Sequence, residues 1–291
     1  VAAARVSLAR VQLRRFGPLA VEVPVVGLGT WRMEADDRES AIRAIRRAVE
    51  LGLTHLDTAE LYGRGEVEEL VGEALAGYRA DVFLASKVHP DHATYAGTLL
   101  ACEKTLRRLR TDHLDLYLLH WRGTQPLEET FRAFEALRND GKIRAWGVSN
   151  FDVADLEHAI EIAGEGVIAC NQVLYNLQER DVEHLLALFC ERHRIALVAY
   201  SPLGGGVFPA PGSWRGDVLA GIAQARGVTP RAVALAFLTR RPGTFVVAKS
   251  GRVEHVEELA TAGDLALTQS EIETLSAAFP LGPPKSKLPF A

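Results

Sequence analysis

The sequence predicts an α/β fold, a (β/α)8 TIM barrel that forms a single domain over residues 1–291. Eight short apolar runs resemble strands, segments of helical periodicity separate them, and no shift in composition divides the chain. A doubly wound parallel sheet is the competing fold, because it also alternates strands and helices. The number of strands, eight in fewer than 300 residues, favours the barrel.

In most of the strand-like runs apolar residues follow one another without alternating polar ones, which is typical of parallel strands buried on both faces. In chain order they are residues 25–28, 54–57, 82–85, 114–119, 145–148, 169–175, 195–200 and 244–248. Residues 1–18 precede the first run and are basic, so we assign them to an N-terminal extension or a leading strand.

The first helical segment, residues 37–51, carries Ala41, Ile45 and Ala48 on one side and ends before Gly52. The same spacing recurs in six more segments: residues 98–109, 127–138, 153–163, 182–192, 230–239 and 253–262. The turn at residues 139–142 closes one helix before the next strand, and residues 204–212 and 282–287 are irregular.

Composition excludes several classes of function. A net charge of −4, mixed along the chain, gives no basic footprint for nucleic acid, and no apolar run is long enough for a membrane helix. The three cysteines form neither a disulfide framework nor a zinc pattern, which favours a reducing, cytoplasmic location. Cys190 and His193 have the spacing of two metal ligands, but a buried Cys and a surface His on one helix explain them better, so we predict no metal.

Four ionisable residues follow successive predicted strands: Asp57, Tyr62, Lys87 and His120. A parallel barrel gathers such residues at the C-terminal ends of its strands, where barrel enzymes place their chemistry. Each residue alone has an ordinary structural explanation, such as an N-cap or a packed ring. Their joint placement at one end of three consecutive strands predicts an active site.

The four side chains suit the delivery of a proton to an oxygen that gains negative charge. A free tyrosine has a pKa of about 10, and we expect the ammonium of Lys87 to lower the pKa of Tyr62. Asp57 can keep that ammonium charged, and His120 can direct the substrate oxygen or relay a proton. Carbonyl reduction by hydride is the reaction that needs such a general acid. A Schiff-base lyase using Lys87 is a weaker alternative, because it needs the neutral amine that Asp57 opposes.

Hydride chemistry requires a dinucleotide, yet the G-x-G-x-x-G fingerprint is absent, since Arg32 stands where the third glycine would be. Barrels can instead bind phosphates in the loops after the seventh and eighth strands. Here those loops are residues 201–206, rich in glycine, and residues 249–252, which contain Lys249 and Arg252. An ordinary turn followed by a basic helical turn explains the same residues about equally well.

From about residue 19 to residue 274 the chain resembles the aldo-keto reductase family. Six motifs in the family's order carry the resemblance: residues 27–31 (GLGTW), 57–63 (DTAELYG), 115–121 (DLYLLHW), 141–151 (GKIRAWGVSNF), 171–176 (NQVLYN) and 199–204 (AYSPLG). Any one of these motifs alone could arise by chance. The resemblance implies an enzyme that reduces aldehydes or ketones to alcohols with NADPH, Tyr62 being the proton donor and Asp57, Lys87 and His120 its partners.

The same resemblance implies roles for a set of cofactor- and substrate-binding residues. Ser149, Asn150 and Gln172 match contacts to the nicotinamide carboxamide, and Tyr200 matches the ring that stacks on the nicotinamide. Gly29 and Thr30 belong to the cofactor-binding set, as do Ser201, Leu203 and Gly204 along the pyrophosphate, Lys249, Ser250 and Arg252 at the 2′-phosphate, and Glu258 at the adenine. Trp31 and Trp121 match aromatic positions at the substrate mouth, where packing of the barrel rim is an equal explanation.

The chain departs from the family pattern at His255 and Leu259, where many members carry Arg and Asn. Lys249, Ser250 and Arg252 make NADP(H) the preferred cofactor. Because both changes remove polar contacts near the adenosine, NAD(H) stays open as an alternative. Arg122, at a position where proline is common, is a candidate contact for an anionic substrate group. The loops and residues 281–291 are expected to set the substrate.

Two further expectations concern the whole protein. A non-catalytic, NADP-binding regulatory or scaffold subunit on the same barrel is the alternative function, because one fold can serve unrelated roles. We otherwise expect a small-molecule carbonyl substrate, no nucleic-acid or membrane partner, and a monomer.

Overall fold

The computed structural model describes residues 11–290 and contains a closed parallel barrel of eight strands, which confirms the predicted fold class. The barrel strands are β3 (Val26–Gly29), β4 (His55–Asp57), β5 (Phe83–Val88), β6 (Leu114–Leu119), β7 (Ile143–Ser149), β8 (Cys170–Leu174), β9 (Ala196–Tyr200) and β10 (Thr244–Lys249). Each strand pairs with the next along the chain, and β10 closes the barrel against β3 with Lys249 opposite Gly29. All eight predicted strands are therefore present.

Ten α-helices accompany the described strands, and the seven predicted segments are among them. The predicted ones are α1 (Arg38–Glu50), α3 (Tyr95–Leu109), α4 (Leu127–Asn139), α5 (Val153–Ala163), α6 (Leu186–His193), α8 (Pro230–Leu238) and α9 (Val253–Ala262). Sequence patterning missed α2 (Glu66–Ala74), α7 (Trp214–Arg226) and α10 (Gln269–Ala278). Helices α7 and α10 bury few apolar side chains, which weakens their periodic signal, and α2 is only nine residues long and contains a glycine.

A two-stranded hairpin closes the N-terminal end of the barrel. Strands β1 (Leu13–Arg15) and β2 (Glu22–Pro24) pair antiparallel, and between them Phe16 is fully buried. Its ring packs against the rings of Phe83 and Phe245, with centroids 5.1 Å and 4.9 Å away. Residues 1–10 of the extension assigned to residues 1–18 lie outside the described residues, whereas residues 11–18 contain β1 and the start of this turn.

The turn that follows β4 has an uncommon backbone conformation. Gly63, Arg64 and Gly65 all have positive φ angles, and α2 begins directly after them. Buried Glu68 of α2 accepts from the guanidinium of Arg108 on α3 at 2.6 Å and from the Ser86 hydroxyl on β5 at 2.6 Å. This network ties the turn and α2 to the barrel wall.

The C-terminal segment crosses the opposite end of the barrel. Arg180 donates to the carbonyl of Phe279, and the Lys285 amide donates to Asp181 at 2.7 Å. The ring of Phe290 then lies against that of Trp121, with centroids 5.7 Å apart. Among residues 11–290, the helices are too short or too polar to span a bilayer.

Candidate active site

Asp57, Lys87 and Tyr62 meet at the C-terminal end of the barrel. Asp57 is the last residue of β4, Lys87 lies near the end of the neighbouring β5, and Tyr62 begins the turn after β4. The Lys87 Nζ donates to Asp57 Oδ2 at 2.6 Å, to the carbonyl of Thr58 at 2.9 Å, and to the Tyr62 hydroxyl at 3.3 Å. Lys87 is 0% exposed and Asp57 3%, so the ion pair is shielded from water. The predicted juxtaposition of these three side chains is present.

The charge on Lys87 is stable in this environment. Burial by itself lowers the pKa of Lys87, but attraction to Asp57 and Tyr62 outweighs it, so the pKa of the ammonium is raised above its ordinary value. A buried ammonium with three acceptors is a poor nucleophile. This argues against the Schiff-base chemistry considered from the sequence.

The expected effect on Tyr62 was wrong in its net direction. Burial raises the pKa of the Tyr62 phenol, and the Lys87 ammonium lowers it by less, so the pKa stays above the ordinary value of a phenol. Tyr62 therefore keeps its proton across the neutral range. The role left to Lys87 is to stabilise negative charge on the phenol oxygen after the proton has gone.

His120 is uncharged in the site. It follows β6 directly, and its ring lies 5.9 Å from that of Tyr62, edge to face. Burial, followed by the positive charge of Lys87, lowers the pKa of His120 to about 2. Its Nδ1 has no hydrogen-bond partner among residues 11–290. His120 can accordingly act as a neutral hydrogen-bonding group, whereas relay through an imidazolium is disfavoured.

One wall of the site is a row of amides and hydroxyls from β7, β8 and β9. The Ser149 hydroxyl donates to the Gln172 carbonyl at 2.8 Å, and Asn150 Nδ2 donates to the His120 carbonyl at 3.1 Å. The Tyr200 hydroxyl donates to Asn150 Oδ1 at 3.0 Å. Asn150 has a φ of 60°, so its backbone is held in the left-handed region.

Gln172 connects this wall to the ion pair. Its Nε2 donates to Asp57 Oδ1 at 2.8 Å, so both carboxylate oxygens of Asp57 are engaged, one by an amide and one by the ammonium. A primary amide has a second N–H and an acceptor oxygen beyond this one bond. That remaining capacity matches the donor and acceptor of a carboxamide.

A cavity of about 620 Å³ opens above these residues. Of the predicted site residues, it is lined by Gly29, Thr30, Trp31, Asp57, Tyr62, His120, Trp121, Ser149, Asn150, Gln172, Tyr200, Ser201, Leu203 and Lys249. An aromatic ring, carboxamide donors and a glycine-rich loop therefore face one space, and a nicotinamide dinucleotide fits that donor set.

Five predicted residues lie outside the cavity lining. Lys87 is behind Tyr62, and Gly204 is replaced in the lining by its neighbours Gly205 and Gly206. Ser250 is buried, and its hydroxyl accepts from the Arg252 amide at 3.2 Å at the start of α9. Arg252 is exposed next to that helix.

The positions near the predicted adenosine end differ in exposure. Glu258 lies in α9 and pairs with Arg231 of α8 at 3.5 Å, outside the cavity lining. His255 is exposed on the same helix, whereas Leu259 is buried in the core and serves packing. The assignment of Glu258 to the adenine stays a prediction.

Pro202, Gly205 and Gly206 also line the cavity and lie in the loop 201–206 that was predicted to bind phosphate. Sequence reasoning did not assign the remaining lining residues to the site: Arg32, Leu61, Val247, Ala248 and Phe290. Most of them adjoin predicted residues and could have been found by extending each motif by one or two positions. Phe290 lies outside every predicted helix and strand, but it belongs to residues 281–291, which were expected to contribute to substrate choice.

Two secondary expectations have structural explanations. The Arg122 guanidinium donates to Asp155 at 2.6 Å and lies 3.1 Å from His158 Nδ1, so its charge is already paired. Cys190 is buried in α6, and His193 at the end of that helix pairs with Glu165 at 2.9 Å. Neither arrangement calls for a ligand.

Comparison with known proteins agrees with this geometry. The model of the aldo/keto reductase family matches residues 25–279. The methylglyoxal reductase YeaE of Escherichia coli is 42% identical over 269 residues, which cover 92% of this chain and 94% of that protein. The glyoxal reductase of Bacillus subtilis is 34% identical over 257 residues, with 88% and 89% covered.

Solved structures agree as well. An aldo/keto reductase from Klebsiella pneumoniae in complex with NADP and acetate has a TM-score of 0.90 and 42% identity, with 96% of this chain and 99% of that chain covered. The E. coli relative and the K. pneumoniae structure are both 42% identical to this chain and cover 92% and 96% of it, so the likeness extends over nearly the whole barrel.

Proposed function

This chain belongs to the aldo/keto reductase family, and from that premise we propose that Tyr62, supported by Lys87, Asp57 and His120, protonates the oxygen of an aldehyde or ketone during its reduction to an alcohol. The protein is an NAD(P)H-dependent oxidoreductase, and NADP(H) is its cofactor, in line with the NADP-bound relative. The observation that carries the residue assignment is the contact of the Tyr62 hydroxyl with a fully buried, ion-paired lysine beside the cavity.

When bound, the reduced nicotinamide supplies a hydride from its C4 to the carbonyl carbon. The Tyr62 hydroxyl donates a hydrogen bond to the carbonyl oxygen and so polarises it. As that oxygen gains charge it approaches an alkoxide, which is a far stronger base than a phenolate, so the proton moves from Tyr62 to it.

The protein stabilises the phenolate that remains. Its negative oxygen faces the ammonium of Lys87, and Asp57 keeps that ammonium charged and in place. A neutral His120 offers a second hydrogen bond that directs the carbonyl oxygen toward Tyr62. Asp57 thus stabilises the positive charge of Lys87, and Lys87 stabilises the negative charge that proton transfer leaves on Tyr62.

We propose short 2-oxoaldehydes as the substrate class. Two relatives at 42% and 34% identity are named methylglyoxal and glyoxal reductases. The cavity mouth is formed by Trp31, Trp121 and Phe290, which suits a small carbonyl compound without a large charged group. The named relatives are reductases, and nothing supports the alternative of a non-catalytic subunit.

The test is NADPH oxidation with methylglyoxal, glyoxal and a panel of ketones and sugars. We expect Tyr62→Phe to lower kcat by about 10²- to 10⁴-fold, the usual contribution of a general acid, with little change in NADPH affinity. Tyr78→Phe is the matched control, because Tyr78 precedes β5 at the other end of the barrel. Full turnover by Tyr62→Phe would refute the assignment, and a preference for sugars over methylglyoxal would refute the substrate class.

We also propose that the protein acts as a monomer in the cytoplasm. The three cysteines are buried and unpaired, which is compatible with a reducing compartment. Size-exclusion chromatography with light scattering tests the oligomeric state, and a stable dimer mass would overturn the monomer.

A further inference from the structure

Lys249, which was predicted to meet the 2′-phosphate of the cofactor, forms an ion pair with the carboxylate of Asp36. Lys249 ends β10 and lines the cavity, and its ammonium donates to Asp36 Oδ2. Asp36 lies in the loop between β3 and α1, 213 positions earlier in the chain. The pair joins the first and last barrel loops across the seam where β3 meets β10.

The backbone of the last loop is shaped to receive this carboxylate. A Cβ atom added to Gly251 would lie 2.1 Å from Asp36 Oδ2, so a side chain there would displace the carboxylate from its present position. Asp36 therefore rests against the turn that follows Lys249 as well as pairing with its side chain. Both side chains are about one third exposed, at 29% and 33%, so the pair can open without unfolding the loop.

A bound 2′-phosphate and this carboxylate would compete for one ammonium. A phosphate monoester carries a charge of about −1.5 to −2 at neutral pH, and like charges that share a site repel each other. Arg252, the other cation predicted to meet the 2′-phosphate, is 68% exposed and lies 3.7 Å from Glu254, so it is a weaker replacement. A nucleotide without the 2′-phosphate does not need the ammonium of Lys249 in the same way.

We propose that Asp36 is a specificity-determining residue, which lowers the affinity of this site for the 2′-phosphate and so reduces the preference for NADPH over NADH. The inference rests on the proposed function only in placing the 2′-phosphate at Lys249. It adds a residue that acts against the favoured cofactor. The pair must open each time a 2′-phosphorylated nucleotide binds and can re-form when it leaves.

The experiment measures binding of 2′,5′-ADP and 5′-AMP by calorimetry, because these fragments differ in the 2′-phosphate and involve no hydride transfer. We expect Asp36→Asn to bind 2′,5′-ADP about 3- to 10-fold more tightly than the wild type, as for removal of a partly exposed like charge, and 5′-AMP with little change. Glu39→Gln is the control, since it removes one negative charge from the exposed surface of α1.

Two failures can be told apart. If the wild type binds 2′,5′-ADP and Asp36→Asn binds it equally or more weakly, Asp36 does not oppose the phosphate and the inference is overturned. A gain of the same size in Glu39→Gln would also overturn it, by assigning the effect to net charge. If the wild type binds neither 2′,5′-ADP nor NADPH, the proposed function fails together with the inference.

Discussion

Individual side chains in the site act through their neighbours, and the clearest case is Lys87. Its ammonium has Asp57, Thr58 and Tyr62 as acceptors, so its charge and position are fixed before any substrate arrives. Removing one partner of a buried ion pair leaves an uncompensated charge, which commonly costs about 3–5 kcal/mol. Variants of Lys87 or Asp57 will therefore mix losses of stability and activity, whereas Tyr62→Phe isolates the proton transfer.

A second residue-scale feature is His55, which is buried within the barrel two positions before Asp57. Burial lowers the pKa of His55 to about 4, from a usual value near 6.5, and its Nδ1 has no partner among the described residues. In the unfolded chain His55 binds a proton below about pH 6.5, whereas in the folded protein it binds one only below about pH 4. The folded state consequently loses stability as the pH falls through that window.

We predict that His55→Asn makes the free energy of unfolding depend less on pH between pH 6.5 and 4. The free energy of unfolding of the wild type should fall by up to about 1.4 kcal/mol per pH unit from this residue between pH 6.5 and 4, and the variant should lack that part of the slope. Urea denaturation at several pH values measures it. His158→Gln, a change at a residue that contacts Arg122 far from the core, is the control. Equal slopes in wild type and His55→Asn would contradict the prediction.

At the scale of elements, the N-terminal hairpin is part of the core. Phe16 is fully buried between Phe83, Phe245 and His55, and the added Cβ of an alanine at Gly17 would lie 2.2 Å from the Ala169 carbonyl. These contacts join β1 and β2 to strands from both halves of the barrel. The hairpin thus closes the end opposite the active site.

Phe16→Ala is expected to destabilise the protein by about 3–5 kcal/mol, the usual cost of emptying a large aromatic site in a core. Leu13→Ala in the same hairpin, where the side chain is 51% exposed, should change stability by less than about 1 kcal/mol. Thermal and urea unfolding compare the two variants. A small effect for Phe16→Ala would mean that the hairpin is only loosely attached.

The extent of sequence-based prediction also differs between elements. The eight strands were predictable because a strand buried on both faces is a local apolar run. The catalytic candidates were predictable because they lie at or just after the ends of three consecutive strands, β4, β5 and β6. The hairpin was predictable only in part. A leading strand was one alternative for residues 1–18, where β1 lies, but E-V-P of β2 is too short to show a pattern. Asp36 could not be assigned either, because its partner Lys249 is distant in the chain and only barrel closure brings them together.

At the scale of the whole molecule, the C-terminal segment limits access to the site. Lys285 is held by Asp181 and Glu179, and Phe290 lies against Trp121 at the cavity mouth. The segment is thus anchored to the loop after β8 and ends above β6. An aromatic pair contributed by distant parts of the chain therefore lines the cavity.

We predict that Phe290→Ala raises KM for methylglyoxal by about 3- to 10-fold, corresponding to about 1 kcal/mol of lost aromatic contact, while kcat and NADPH affinity stay nearly constant. Leu188→Ala, a comparable loss of exposed apolar surface on α6, serves as the control. Steady-state kinetics with methylglyoxal and a bulkier aromatic aldehyde measure the effect. A fall in kcat with unchanged KM would place Phe290 in the chemistry instead.

The enclosure of Lys87 has a consequence for durability. Dicarbonyl compounds glycate accessible amines, and an enzyme that reduced the proposed 2-oxoaldehydes would meet such a reagent at its own active site. The amine of Lys87, which we propose to support proton transfer, has no contact with solvent and is kept charged, so it is protected from that damage. Exposed lysines such as Lys285 can accumulate adducts while the catalytic centre survives.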